Sequence, residues 1–347
     1  MKKKMVLTGI ISKVAIAAML LFGLVLTACP TDSGGSTGTG GGGGGGSGTG
    51  SPTTWTAVSN STFGTAIIRD IAWGNGKFVA VGYNGKMAYS TDGITWTGVS
   101  GTTSTFGSSG TILGIAWGGG KFVAGGESGK MAYSADGITW TAVSSTTSTF
   151  GSSGTIRSIA YGGGKFAAVG WDGKMAYSTD GGITWTAVSS ADSTFGSTHI
   201  SSITYGGSTF VAGGNGGKMA YSTDGITWTA VSNSTFGSSG AVGGIAYGGG
   251  RFVAGGGSGK MAYSTDGITW TAVSTTTFGS SAITWGGGKF VAVGNAGKMV
   301  YSADGITWTD ASDSTFGPST IISIAYGGNR FVAVGNAGKM AYSNELE

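Results

Sequence analysis

Short segments in which apolar and polar residues alternate recur along residues 53–347, and Gly-rich turns separate them. A period of two residues is typical of β-strands, and a helical period of 3.6 residues does not occur in this region. In one copy the pattern predicts four strands, labelled a to d in chain order, at residues 156–161, 165–169, 174–178 and 183–188. We therefore expect an all-β fold.

The four-strand unit is repeated seven times. The hexapeptide Gly-Lys-Met-Ala-Tyr-Ser occurs in each copy, once with Val in place of Ala, and seven Thr-Trp pairs end at Trp55, Trp96, Trp140, Trp185, Trp228, Trp270 and Trp308. The mean spacing of these Trp residues is about 42 residues, which suits a four-stranded propeller blade. The repeat predicts a seven-bladed β-propeller of antiparallel blades.

The two ends of the repeat region complement each other. Residues 54–59 resemble a lone strand d, whereas the last copy supplies strands a, b and c only. Pairing them would complete the seventh blade and remove two exposed sheet edges. An open solenoid, the alternative, would need a different cap at each end. We expect a closed, monomeric ring.

Residues 1–28 have the form of a secretory signal. An apolar run over residues 14–26 follows four basic residues, Lys2, Lys3, Lys4 and Lys13. This run is short for a membrane-spanning helix. The run ends in Leu-Thr-Ala before Cys29, the only Cys of the chain, and this resembles the lipobox of bacterial lipoproteins. The resemblance implies cleavage before Cys29, acylation of that residue and a lipid bilayer as a partner. The alternative is a plain secretory signal with an incidental Cys.

Residues 30–52 are rich in Gly, Ser and Thr and include seven consecutive Gly at 40–46. Such a composition is typical of a flexible coil, with a root-mean-square span of roughly 25–30 Å. The predicted organisation is a signal segment at 1–28, a lipidated Cys with a tether at 29–52, and a propeller at 53–347. The expected location is the bacterial cell envelope, either at the surface or in the periplasm.

Composition and charge exclude several classes of protein. The 38 aromatic residues, counted as 11 Trp, 12 Tyr and 15 Phe, are too many for a disordered chain, and one Cys excludes a disulfide scaffold. The net charge of +4 suggests an anionic partner such as nucleic acid. Loss of the leader would remove four of the 19 basic residues and leave 15, equal to the 15 acidic residues. We therefore expect no nucleic-acid partner.

The turn between strands c and d resembles the Asp-box of sialidase-like propellers. One copy, Ser-Thr-Asp-Gly-Gly-Ile-Thr-Trp, matches the pattern Ser-x-Asp-x-Gly-x-Thr-Trp, and five others are one residue shorter. The resemblance implies a structural role, away from any catalytic centre, for Asp92, Asp136, Asp180, Asp224, Asp266 and Asp304. One acid per blade is too widely spaced for these residues to share a metal ion.

The catalytic residues of sialidases are not found in this sequence. The family uses three Arg, a Tyr activated by Glu, an Asp and an Arg-Ile-Pro element, whereas this chain has four Arg and no Arg-Ile-Pro. Arg251 and Arg330 replace a Lys that recurs in strand b, so a structural role is expected for them. No carboxylate pair, triad or zinc-site spacing indicates other hydrolytic chemistry. We expect no cofactor and no enzymatic activity.

Variation among the blades indicates where recognition could occur. The b–c turns and d–a loops share one end of the ring, where the b–c turns differ most in blades 1–3. The candidate ligand-binding residues are Tyr83, Glu127, Trp171, Asp172, Arg69 and Arg157. They suit the binding of a glycan or a protein; the alternative is drift at exposed turns. A Lys repeated at the start of every strand c favours a generic turn or solubility role over a specific site; the alternative is a face that attracts anions.

Three function classes remain open. The first is a non-catalytic surface lipoprotein that binds a glycan or protein, the second is an envelope scaffold or assembly factor, and the third is a glycoside hydrolase.

Overall fold

The computed structural model describes residues 54–100, 105–144, 149–273, 279–311 and 313–343, without the side chains of residues 190 and 191. The predicted signal segment, Cys29 and the predicted tether lie outside the described residues. In the described ranges no helix has the length and apolar character needed to cross a membrane.

The first blades follow the predicted order of strands a to d. The chain begins with β1 (Trp55–Ala57). Blade 1 consists of β2 (Ile68–Gly74), β3 (Lys77–Gly82), β4 (Met87–Ser90) and β5 (Thr97–Gly98). Blade 2 consists of β6 (Ile112–Gly118), β7 (Lys121–Gly126), β8 (Met131–Ser134) and β9 (Thr141–Ala142). Blade 3 consists of β10 (Ile156–Gly162), β11 (Lys165–Gly170), β12 (Met175–Ser178) and β13 (Thr186–Ala187).

The remaining blades repeat this order after one short helix, α1 (Ser190–Ser193). Blade 4 consists of β14 (Ile200–Gly206), β15 (Thr209–Gly214), β16 (Met219–Ser222) and β17 (Thr229–Ala230). Blade 5 consists of β18 (Val242–Gly248), β19 (Arg251–Gly256), β20 (Met261–Ser264) and β21 (Thr271–Val273). Blade 6 consists of β22 (Ser280–Gly286), β23 (Lys289–Gly294), β24 (Met299–Ser302) and β25 (Thr309–Asp310). Blade 7 contains β26 (Ile321–Gly327), β27 (Arg330–Gly335) and β28 (Met340–Ser343).

Most b–c turns form a single 3-10 turn. These turns lie at Tyr83–Gly85, Glu127–Gly129, Trp171–Gly173, Gly257–Gly259, Asn295–Gly297 and Asn336–Gly338. We call the end of the ring that carries the b–c turns and d–a loops the b–c face. The opposite end, with the a–b and c–d turns, is the c–d face.

The ring closes as the sequence predicted. β1 pairs antiparallel with β28, Trp55 opposite Ser343 and Ala57 opposite Ala341, so that the seventh sheet has the order β1-β28-β27-β26. The chain is thus a closed seven-bladed propeller of four-stranded antiparallel sheets, and the open solenoid is excluded.

Strand d is shorter than its alternating pattern predicted. In blade 3 the pattern predicts residues 183–188, whereas β13 spans Thr186–Ala187. The backbone N–H groups of Ile183 and Thr184 donate to the Asp180 carboxylate, at 3.0 Å each, instead of to strand c. Because the side chain captures these donors, the first residues of the predicted strand belong to the turn.

The hydrophobic core lies between successive blades. Strand a of each blade packs against strand a of both neighbours, which places the seven strands a in an inner ring. One core cluster combines Val79 and Val81 of blade 1 with Ile112, Phe122 and Trp140 of blade 2. Because adjacent blades fill the same layer, no blade can bury its apolar residues alone.

A contact between Gly and an aromatic ring joins every pair of neighbouring blades. Strand a ends in an aromatic residue followed by Gly, and a Cβ built on Gly118 would lie 2.0 Å from Cγ of Tyr161 in the next blade. The same close approach links Gly74 to Trp117, Gly162 to Tyr205, Gly206 to Tyr247, Gly248 to Trp285, Gly286 to Tyr326 and Gly327 to Trp73. The last pair joins blade 7 to blade 1, so the seven contacts form a complete circle.

Polar side chains also connect the strands a of neighbouring blades. Oδ2 of the buried Asp70 accepts a hydrogen bond from Ile115 N of blade 2 at 2.9 Å, and Oδ1 accepts one from Ser323 Oγ of blade 7 at 2.8 Å. The hydroxyls of Ser158 and Ser202 accept the corresponding backbone bond from the blade that follows each of them. Asp70 therefore connects blade 1 to both of its neighbours at the closure.

The Gly–aromatic contact predicts a large effect of one methyl group. Gly118→Ala should lower the free energy of unfolding by about 3 kcal/mol, because the new Cβ overlaps the Tyr161 ring. Gly98→Ala is the matched control, since its nearest neighbours lie 3.6–3.7 Å away and Ala142 and Ala187 occupy the equivalent position. Urea unfolding measures both, and equal values for the two variants would contradict the contact's importance.

Burial of Asp70 predicts that stability depends on pH. Burial raises the pKa of the Asp70 carboxyl from 3.8 to about 8, although its hydrogen bonds and Arg69 oppose the shift. Because the folded protein then binds the Asp70 proton more tightly, the contribution of Asp70 to stability is greatest below about pH 4 and falls as pH rises towards about 8, by up to roughly 1.4 kcal/mol per pH unit.

Asp70→Ser should remove this slope, because Ser158 and Ser202 fill the equivalent position without a titratable group. Ser202→Ala is the control, and it should lower stability without changing the slope. Urea unfolding between pH 4 and pH 8 measures all three proteins, and an unchanged slope in Asp70→Ser would contradict the assignment.

Candidate functional site

A β-bulge places Arg69 and Arg157 at the start of strand a. The register between strands a and b shifts between Ile68 and Asp70 in β2, and between Ile156 and Ser158 in β10, so each Arg is the extra residue. The same position holds Leu113, Ser201, Gly243, Ser281 and Ile322 in the other blades. Because a bulge turns the extra side chain out of the ladder, this position can vary without disturbing strand pairing.

The two Arg side chains converge although their blades are not neighbours. Arg69 and Arg157 are 7% and 9% exposed. The charge of Arg69 acts on Arg157 across blade 2, and Tyr83 and Glu127 act on both Arg side chains. Since strands a form the inner ring, both guanidinium groups lie at the b–c end of the central channel, near enough for the charge of one to act on the other. The structure thus brings together four of the six predicted site residues.

Burial and like charge make this cluster an unusual environment. Burial, together with the neighbouring charge of Arg69, lowers the pKa of Arg157 to about 9, while Tyr83 and Glu127 oppose the shift. Burial also lowers the pKa of Arg69, against the opposing effects of Tyr83, Asp70 and Glu127. A buried cation without full compensation is costly, and an anion bound beside Arg69 would offset that cost.

Arg69 is the less satisfied of the two. Its guanidinium carbon lies 6.0 Å from the centre of the Tyr83 ring, and its Nε is buried without a hydrogen-bond acceptor. Within the described ranges, no carboxylate oxygen lies within 4.0 Å of this guanidinium group. Glu127 is exposed on the b–c turn of blade 2. The cluster therefore offers a buried hydrogen-bond donor, Arg69 Nε, beside the half-buried Tyr83 and the exposed Glu127.

Trp171 and Asp172 lie in a second cluster on the same face. The Trp171 ring centre is 5.2 Å from that of His199, and the Asp172 backbone N–H donates to His199 Nδ1 at 3.1 Å. The Asp172 carboxylate Oδ1 lies 3.9 Å from the same nitrogen. His199 belongs to the d–a loop of blade 4, and its carbonyl accepts the N–H of Asn215. The loop thus supports an aromatic ring that is 36% exposed.

The sequence pattern indicated Trp171 and Asp172 but not their contact with His199. His199 is the only His of the chain and stands in a loop of the same face. These two facts were the signal in the sequence that could have pointed to His199. Asp70 was likewise missed as a link between blades, although it is the only acid at its position in the seven strands a.

The repeated Lys residues have a turn role, as expected. Lys86 Nζ donates to the carbonyl of Phe63 in the preceding d–a loop at 2.8 Å. The same bond is made by Lys130, Lys174, Lys218, Lys260 and Lys339. These ammonium groups hold the buried Phe of each loop in place. Because they already donate to loop carbonyls, they do not form a separate anion site.

The Ser-x-Asp turns lie on the opposite, c–d face. Desolvation raises the pKa of the Asp180 carboxyl, but hydrogen bonds from Thr184, Ser178 and Ile183 outweigh it and lower the pKa to about 2. The shorter turns of Asp92, Asp136, Asp224, Asp266 and Asp304 also hold their carboxyl pKa below the usual value through such bonds. In the part of the chain that the structure describes, no three His, Cys, Asp or Glu residues are grouped to bind a metal ion.

Comparison with known proteins supports the fold. A family model described as the DUF6242 beta propeller domain matches residues 189–312. Comparison with curated proteins gave no significant match. Among solved structures, YCF48 bound to D1 peptide is 20% identical, with a TM-score of 0.67 over 86% of this chain and 100% of that chain.

Two further structures are similar at lower identity. YCF48 from Cyanidioschyzon merolae is 17% identical, with a TM-score of 0.63 over 84% of this chain and 98% of that chain. Selenomethionine-substituted virginiamycin B lyase from Staphylococcus aureus is 11% identical, with a TM-score of 0.65 over 83% and 97%. One neighbour holds a peptide and another is a lyase, so the shared fold does not decide the function.

The buried charge predicts that Arg69 lowers stability. Arg69→Leu should raise the free energy of unfolding by about 1–2 kcal/mol, because Leu113 fits the same position and a buried, incompletely paired charge is removed. Arg251→Leu is the control, since that guanidinium donates to the Asp304 carbonyl at 2.9 Å on the c–d face. Thermal and urea unfolding measure both, and a destabilised Arg69→Leu would show that the charge is compensated within the fold.

Proposed function

We propose that the protein is a lipid-anchored, non-catalytic binding protein of the bacterial cell envelope. In this proposal the b–c face binds an acidic group of a protein ligand, and Arg69 and Arg157 receive that group. The single observation that carries the proposal is the presence of two buried guanidinium groups within electrostatic range of each other and of Tyr83 and Glu127. Guanidinium groups form strong, directional hydrogen bonds with carboxylates, and Arg is favoured at such sites.

The balance of charge favours a ligand with a single negative charge. Two guanidinium groups and the Glu127 carboxylate sum to one positive charge at the mouth of the channel. A carboxylate would neutralise this positive charge. A phosphate dianion would instead leave an excess negative charge and would be repelled by the Glu127 carboxylate. Trp171, on the same face, offers an exposed ring for an adjacent apolar contact.

A protein ligand is favoured over a glycan by the kind of surface present. Two buried cations and a separate exposed aromatic ring lie on the same face of the propeller, and this arrangement suits an extended partner that reaches both. The D1 peptide bound to YCF48 shows that a propeller of this fold can hold a peptide. An acidic glycan is the second candidate, because the exposed Trp171 ring could also stack on a sugar.

The absence of catalysis is part of the proposal. Of the two carboxyls near the Arg pair, Asp70 is buried and committed to three hydrogen bonds, from Ile71, Ile115 and Ser323. Glu127 alone does not supply the pair of acids that most glycoside hydrolases require. Lipid anchoring is supported by the sequence around Cys29, and a role as an envelope scaffold would use the same binding surface.

Selection from a random peptide library tests the ligand class. Immobilised protein should enrich peptides that carry a single acidic group, and the Arg69→Leu/Arg157→Leu double variant should bind them at least about tenfold more weakly. Arg251→Leu on the c–d face should bind them like the unchanged protein. Loss of affinity at high salt is also expected for a charged contact.

Two outcomes would contradict this function. Equal binding of the peptides by the double variant and the unchanged protein would show that Arg69 and Arg157 do not form the binding site. Selective binding of acidic glycans on an array would show that the ligand is a glycan, the second candidate. Hydrolysis in a panel of fluorogenic glycosides would contradict the non-catalytic assignment.

A further inference from the structure

The c–d face carries a ring of exposed Ile side chains. Among the described residues five large apolar side chains are exposed, and four of them are Ile94, Ile183, Ile268 and Ile306 in c–d turns. Each follows the Ser-x-Asp turn and is 38–43% exposed. The equivalent Ile138 and Ile226 of blades 2 and 4 are half-buried. Six blades thus present an Ile on the same face, and elsewhere in the described ranges only Trp171 is a comparably exposed large apolar side chain.

The chain reaches the propeller at this same face. In every blade strand d runs from the c–d turn towards the d–a loop, and β1 is the strand d of blade 7. The described chain therefore begins, at Thr54, on the c–d face, in the one blade whose c–d position lacks an Ile. Cys29 precedes Thr54 by only 24 intervening residues. The segment that follows Cys29 therefore joins the propeller at the face that carries the Ile ring.

Among the described residues, the charges of the c–d turns and of the strand b starts balance. Six Asp residues of the c–d turns face six bases that begin the strands b, which are Lys77, Lys121, Lys165, Arg251, Lys289 and Arg330. Three of these bases donate to a turn carbonyl of the following blade, Lys77 to Asp136, Lys165 to Asp224 and Arg251 to Asp304. A face of balanced charge with regularly spaced apolar side chains suits a zwitterionic lipid surface.

We propose that the c–d face rests on the phospholipid surface that anchors the protein, with the Ile ring at the level of the headgroups. The b–c face, with Arg69 and Arg157, then points away from the bilayer. This inference relies on the lipid anchor of the proposed function, and it adds an orientation that the anchor alone does not impose. An apolar ring around the point where the chain leaves the propeller is the observation that carries it.

Fluorescence quenching in vesicles tests the orientation. The acylated protein, which begins at Cys29, is placed in phosphatidylcholine vesicles, with an environment-sensitive dye attached at Ile268→Cys or at Ser258→Cys. Both positions belong to blade 5, and Ser258 is an exposed residue of the b–c turn. Spin-labelled lipid should quench the dye at position 268 at least twofold more than the dye at 258, and aqueous iodide should show the opposite order.

The outcomes separate this inference from the anchor itself. If the protein floats with the vesicles but the two dyes are quenched equally, the orientation is wrong and the anchor stands. If the protein does not float, the anchor proposal fails. If the dye at 268 is shielded from both quenchers, a second copy or another protein covers the face, which also overturns the inference. Unchanged melting temperatures of both labelled variants verify that the substitutions leave the fold intact.

Discussion

The close approach of an aromatic ring to a Gly of the preceding blade is the contact on which the propeller depends. It occurs seven times, and the seventh contact, between Gly327 and Trp73, joins the last blade to the first. Any side chain larger than hydrogen at these Gly positions would separate two blades. Because the core lies between blades, a local separation exposes apolar surface on both sides of the gap. The circle of contacts therefore has to be complete for each blade to be stable.

The contacts that are repeated in every blade leave few positions free to vary from one blade to the next. The repeated Lys residues are committed to loop carbonyls, and the repeated Asp residues are committed to their own turns. The bulge position of strand a is different, because its side chain does not belong to the strand ladder and faces the channel. Arg69 and Arg157 occupy this position in two blades, with apolar or small residues in the others. The blades differ in side-chain chemistry at this bulge position because a substitution there leaves the strand pairing intact.

Most of the fold could be predicted from the sequence, whereas the geometry of the site could not. The alternating pattern, the regular Trp spacing and the complementary ends predicted seven closed blades. The start of strand d was placed too early, because side-chain hydrogen bonds of Asp180 compete with the ladder and alternation does not reveal them. Arg69 and Arg157 stood out as departures from the repeat. Their convergence across blade 2 depends on the bulge, and the support of Trp171 by His199 depends on a contact between blades.

We propose that the two guanidinium groups at the b–c end of the channel form a receptor for a carboxylate. The most direct measurement is the melting temperature in sodium acetate and in sodium chloride at equal ionic strength and pH. We predict that acetate raises the melting temperature of the unchanged protein above its value in chloride, because the ion binds the folded state only. The Arg69→Leu/Arg157→Leu variant should melt at the same temperature in both salts. An equal acetate effect in both proteins, or none in either, would contradict the claim.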